Sequence, residues 1–227
     1  AQVGAFPYDF GTSKDAAISN AAMPAGAYTI QVAGVGGATG TVIAELYDAT
    51  PTSAFAATTP RLNNVSVLKQ IDAGSILTAG FVIGGSTTKT VLIRAVGPTL
   101  GTAPFNVPGV MADPKLDLFS GQTVINSNND WSTPVGTGAA TAAQLSAAFT
   151  QVGAFPLGVN SGDAALLVTL APGSYTAQVS GVSGTTGGSS GIALVEVYEY
   201  TPPAVAAAPI AVQPASIAPP PKTQTAV

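Results

Sequence analysis

The chain contains no cysteine and no histidine. Without cysteine there is no disulfide and no thiol chemistry, so stability must come from packing, and the redox compartment is left open. Without histidine the common nucleophile–base triads are excluded, and zinc or copper sites lose their usual ligands. Charge is also scarce: 8% of residues are Asp, Glu, Lys or Arg, against about a quarter in an average protein. The seven Lys and Arg are scattered, so no basic patch is present to neutralise phosphates, and nucleic acid is not an expected partner. No apolar run approaches the length of a spanning helix, so no membrane span is expected. The start lacks the basic and apolar regions of a signal peptide; a secreted chain would already have lost that segment.

What the chain has instead is glycine (26) and proline (18), with short apolar runs between clusters of Gly, Pro, Ser, Thr and Asn. That punctuation is the mark of an all-β protein. Strands are expected at 62–68, 76–83, 89–96, 115–119, 122–126, 164–170, 174–180 and 192–200. The Ala-rich stretch 139–151, with Leu145 and Phe149 four apart, predicts one short amphipathic helix. The expected fold is an all-β, jelly-roll-like β-sandwich with one short helix, plus a β-rich half-repeat at the N-terminus.

The half-repeat follows from self-similarity, which is sought before anything else. "QVGAFP" occurs at 2–7 and again at 151–156; "PAGAYTIQVAGVGGATG" at 24–40 answers "APGSYTAQVSGVSGTTG" at 171–187; "VIAELYDATP" at 42–51 answers "ALVEVYEYTP" at 193–202. Residues 60–149 have no counterpart upstream. The expected organisation is a half-repeat at 1–51, the back half of a sandwich domain; a linker at 52–59; a complete domain at 60–201; and a Pro/Ala-rich extended tail at 202–227. A half-sandwich cannot cover both of its faces, and its open edge is a template for pairing. Either the polypeptide is a longer tandem array, or another chain provides the missing half, or the segment is a self-sufficient rearranged subdomain. Tyr28, Ile30, Val32, Ile43, Glu45 and Tyr47 of the half-repeat are the expected inter-subunit residues.

The segments "LTAGFVIGGSTTKTVLIRAVGPTLG", "ADPKLDLFSGQTVINSNNDW", "DAALLVTLAPGSYTAQVSGVSGTTG" and "ALVEVYEY" resemble a repeat domain of large secreted and surface proteins of environmental bacteria. The resemblance covers 60–201 fully and 1–51 as a half copy, and it implies an extracellular location rather than an activity. The succession of "LDLF", "VINSNNDW" and "LAPGSYT" is also similar to pre-peptidase C-terminal β-sandwich modules, which accompany secreted enzymes and are not catalytic.

Few residues invite a chemical role. "GVGGATG" at 34–40 lies between strands, without the helix N-terminus a phosphate loop needs, and reads as a hairpin loop. "SNNDW" at 127–131, with Asp113 and Asp117, is the richest oxygen cluster; Asp117, Asn128, Asn129 and Asp130 are the candidate calcium ligands, and calcium is the one cofactor they suggest. Asx turns explain the same run. Trp131, the only tryptophan, is a candidate sugar platform or a core residue. Arg94 and Glu196 interrupt apolar strands. A lone buried charge is costly, so the two are expected to form a structural ion pair, and Glu45, the counterpart of Glu196, then awaits a basic residue from a neighbour. No enzyme activity is expected. The expected function is a non-enzymatic structural protein of the cell surface, a head-to-tail filament of copies of itself joined by β-strand complementation. The alternative is a carbohydrate- or calcium-binding accessory module of a longer secreted enzyme or adhesin, with extracellular polysaccharide as partner.

Overall fold

The computed structural model describes residues 3–8, 11–20, 23–56, 58–184 and 189–202. The expected extended tail, from residue 203 onward, lies outside them. Within the described chain, eight strands form two antiparallel four-stranded sheets: β1 (Asn64–Ile71), β2 (Leu77–Ile83), β3 (Lys89–Val96), β4 (Pro114–Ser120), β5 (Thr123–Asn128), β6 (Ala164–Leu170), β7 (Gly173–Gly181) and β8 (Gly191–Tyr200). One sheet has the order β1-β8-β3-β6 and the other β2-β7-β4-β5.

This is the jelly-roll order. It amounts to a long hairpin wound into two sheets, in which the first strand pairs with the last, β2 with β7, β3 with β6 and β4 with β5. One consequence governs everything below. β6 pairs only with β3, β7 lies between β2 and β4, and β8 lies between β1 and β3. No strand of the back half is hydrogen-bonded to another strand of the back half.

The core between the sheets is built from alternate residues: Val91, Ile93 and Ala95 of β3, Leu116 and Leu118 of β4, Ala177 and Val179 of β7, and Ala193 and Val195 of β8. The other face of the β3 sheet is covered too. There the helix α1 (Ala142–Val152) places Leu145, Ala148 and Phe149 against Leu92, Val96, Trp131, Tyr198 and Tyr200. β3 is therefore covered on both faces, which is why it reads as an apolar run rather than an alternating one.

The helix begins later than its alanine content predicts. Thr141 caps it: its hydroxyl accepts from Gln144 N while the Gln144 side chain accepts from Thr141 N, a reciprocal capping box. Gly153 ends it in the left-handed conformation at φ 72°, a position where an L-residue is strained.

The N-terminal segment differs from expectation. Among its described residues, 3–56 contain no strand, only short 3-10 turns at Val35–Gly37 and Thr52–Ala54. No described residue of this segment enters either core cluster. The physical reason is the pairing rule above: strands copied from β6, β7 and β8 have no partners among themselves.

Candidate functional site

Arg94 is the centre of the most elaborate polar arrangement in the domain. It sits on β3 directly opposite Glu196 on β8, and its side chain points to the helix-covered face. Its Nε donates to Glu196 Oε2 at 2.8 Å, a second guanidinium nitrogen donates to the same oxygen, and Nη1 donates to the Phe155 carbonyl at 2.6 Å. The guanidinium also lies over the rings of Phe155 (4.3 Å), Phe149 (5.0 Å) and Tyr198 (5.7 Å). Tyr198 donates its hydroxyl to Glu196 Oε1 at 2.7 Å. Burial, and then that bond to a carboxylate, push the Tyr198 phenol well above its ordinary value. Both charges are buried, and they are bonded to each other, to the Phe155 carbonyl and to the Tyr198 hydroxyl.

A second knot lies at the end of the same strand. The fully buried Asp163 accepts from Gly97 N at 2.8 Å, from Thr99 N at 3.4 Å, from the Thr99 hydroxyl, and from the Ser161 hydroxyl at 2.6 Å. A third tie joins Lys89 to Glu199. In all three, a cation or donor from the front half (Lys89, Arg94, Gly97, Thr99) meets an anion from the back half (Glu199, Glu196, Asp163). Sequence reasoning missed Asp163, although Ser-x-Asp recurs at 13–15 and 161–163 and could have drawn attention to it.

The candidate calcium ligands do not converge. Asp117 and Asn128 are on opposite faces of the β4–β5 pair, since Leu116 is the register partner of Asn128 and Ser127 that of Asp117. Asp117 accepts from Ser127 Oγ at 2.6 Å and Lys115 Nζ at 2.8 Å. Asn128 is buried and uses its amide to hold Ala165 N and the Asp130 carbonyl. Asn129 donates to Asp130 at 3.3 Å. Among the described residues no group of three or more Asp or Glu that could hold a metal ion is found. Trp131 is buried, packed on Phe149 at 5.6 Å, and donates its indole N–H to the Gly158 carbonyl. A groove of about 610 Å³ opens between β5 and β6, lined by Leu118, Ile125, Leu167 and Val168 under the loop at 134–140. Among the described residues no titratable side chain lines it.

The N-terminal segment repeats the local geometry of the back half without its partners. Tyr28 donates to the carbonyl four residues before it at 2.7 Å, as Tyr175 does at 2.9 Å. Ser13 donates to Asp15 at 2.5 Å, as Ser161 does to Asp163. Tyr47 donates to Glu45 at 3.0 Å, as Tyr198 does to Glu196. Gly4 has the left-handed φ of 77° that Gly153 has at 72°. The surroundings are opposite: Ile30, Ile43 and Val32 are 62%, 77% and 58% exposed, and Tyr28 and Tyr47 are uncovered as well. Glu45 is exposed, and its bond raises the Tyr47 phenol above the ordinary value.

No protein-family model, no curated protein and no solved structure matches this chain. Among the described residues no helix is long and apolar enough to cross a membrane.

Proposed function

We propose that this chain is a non-enzymatic structural protein of the extracellular surface, a subunit of a head-to-tail filament joined by β-strand complementation through residues 1–51. The observation that carries the reading is the pairing pattern. Every back-half strand is hydrogen-bonded only to front-half strands, and residues 1–51 repeat a back half with its apolar side chains bare. Strand donation between molecules satisfies such groups. A contact between two different surfaces propagates instead of closing into a dimer. The low charge of the chain suits a protein packed against others of its kind.

Size-exclusion chromatography with electron microscopy tests this. Long regular fibres whose formation requires residues 1–51 support it. Monodisperse monomers at every concentration, with or without that segment, overturn it in favour of an accessory module, whose ligand a glycan array would then seek.

A further inference from the structure

Residues 1–51 repeat strands whose partners still have room. β7 pairs with β2 and β8 with β1, and among the described residues neither β2 nor β1 has a partner on its other side. β3 and β4, the remaining partners of the back half, are flanked on both sides. The two open edges lie together, since β1 and β2 each end a sheet and touch one another. Copies of β7 and β8 can therefore extend both sheets at once without displacing any strand of the closed domain.

These edges are unguarded. Native sheets protect an edge with charge, proline or a covering element. β1 and β2 together carry one charged residue, Lys69, and no proline. Val65 and Val67 share a face with Val197 and Val195, the core side of their sheet, yet they are 43% and 40% exposed because the core stops at them. The backbone directions also agree. Glu199 N donates to Asn63 O at 2.8 Å, so the odd-numbered residues of β1 and β8 face each other. The even-numbered row of β1, Asn64 to Gln70, turns its N–H and C=O groups outward, and the even-numbered row of β8 turns to β3. In the copy of β8 that second row is Ile43, Glu45 and Tyr47. Joined to the outward row of β1, it keeps every side chain on its own face, with Ala44 and Leu46 beside Val65 and Val67.

Resting on the complementation reading, we infer that the acceptor of the joint is the β1–β2 edge of a second copy of this chain, where residues 26–34 extend the β2 sheet and residues 41–48 the β1 sheet. Residues 35–39 cross between them, enough chain for sheets about 10 Å apart. Phe81, stacked on Tyr175 at 5.7 Å on its inner side, receives Tyr28, the counterpart of Tyr175, on its outer side. Within one chain the two surfaces do not meet, since β8 is the only strand paired with β1 among the described residues. Each chain thus presents one bare donor and one open acceptor, and different surfaces joined head to tail propagate.

Because the chain has no cysteine, introduced cysteines report a single contact. Full chains carrying Ala44→Cys are mixed with full chains carrying Val67→Cys and oxidised mildly, so that only a bridge between molecules joins the two sites. The mixed disulfide is expected several-fold above that of Ala44→Cys with Thr123→Cys, a site on β5 at the opposite edge. Val67→Cys bridging mainly to itself overturns the inference, since two β1 edges then face each other. So does a double variant that closes within its own chain while the mixture stays unbridged. Ser66→Pro gives a second measure. Its N–H belongs to the outward row, so the domain should keep its melting temperature while fibres are lost. A Ser66→Pro chain that loses its fold overturns the row assignment on which the joint depends. Fibres from folded Ser66→Pro chains, or parent fibres without the mixed disulfide, overturn the inference and leave the filament reading standing. Failure of the filament reading itself is seen separately, as monomers of the parent chain in chromatography.

Discussion

Arg94 and Glu196 are direct cross-strand partners on β3 and β8, and both are buried while sharing a hydrogen bond of 2.8 Å from Nε. Such a pair contributes little net stability relative to apolar residues of the same shape, but removing one member strands the other. Arg94→Ala is expected to cost about 3–5 kcal/mol. Arg94→Met with Glu196→Leu should recover most of that loss. Urea unfolding of the two variants checks both statements; equal destabilisation would show that the pair itself, rather than an orphaned charge, holds the domain.

Asp163 and Asp15 make the same bond to a serine two residues earlier, yet only Asp163 also receives Gly97 and Thr99. Asp163→Ala leaves buried donors without an acceptor, at about 1–3 kcal/mol each. Asp15→Ala, on an exposed segment, should change the unfolding midpoint by no more than about 0.5 kcal/mol equivalent. Thermal or urea melts of the isolated chain compare them directly.

Ala177 is completely buried between the sheets, so its site reads how much volume the core tolerates. Ala177→Ile should destabilise it by about 1–3 kcal/mol through overpacking. The reverse change at the matching place, Ile30→Ala, should be near neutral in the free chain because Ile30 is exposed. If Ala177→Ile leaves the melting temperature unchanged, the interior is roomier than its burial indicates.

Tyr198 sets an alkaline limit. Its phenol value is raised in the fold, first by burial and then by the bond to Glu196, above the unfolded value of 10.0. A raised acid favours the neutral form in the folded state. Its contribution is complete below pH 10.0 and is lost as the pH climbs from there towards the raised value. Urea midpoints measured from pH 8 to 12 should fall above pH 10 in the parent chain. Tyr198→Phe should start lower and fall less steeply.

Turn punctuation and apolar runs made the strands legible, β3 and β6 most clearly, because Gly, Pro and Ser clusters bound them on both sides. The helix start was obscured by alanine, which favours the helix everywhere and marks its beginning nowhere; Thr141 with Gln144 supplies the mark. The charges in "TVLIRAV" and "IALVEVY" could be picked out as buried candidates. Their register depends on β8 entering between β1 and β3, which local patterns do not encode. Asn128 reads as a surface ligand because it lies in a polar run, whereas the alternation of β5 turns it inward to hold Ala165. The N-terminal segment was legible as a copy of β7 and β8. That a copy of those strands forms no ladder by itself follows only from the jelly-roll pairing order.

That same pairing order sets a schedule for synthesis. β1 is made early in the domain, but its only ladder is with β8, the last strand to emerge. Until the ribosome has released residues near 191–200, the growing front half has no native closing strand, and its edges stay open to whatever β-forming sequence is at hand. Residues 1–51 are already outside by then, tethered a dozen residues away. They are back-half sequence that a nascent front half meets before β8 arrives, so the order of translation exposes β1 and β3 to a competing pairing.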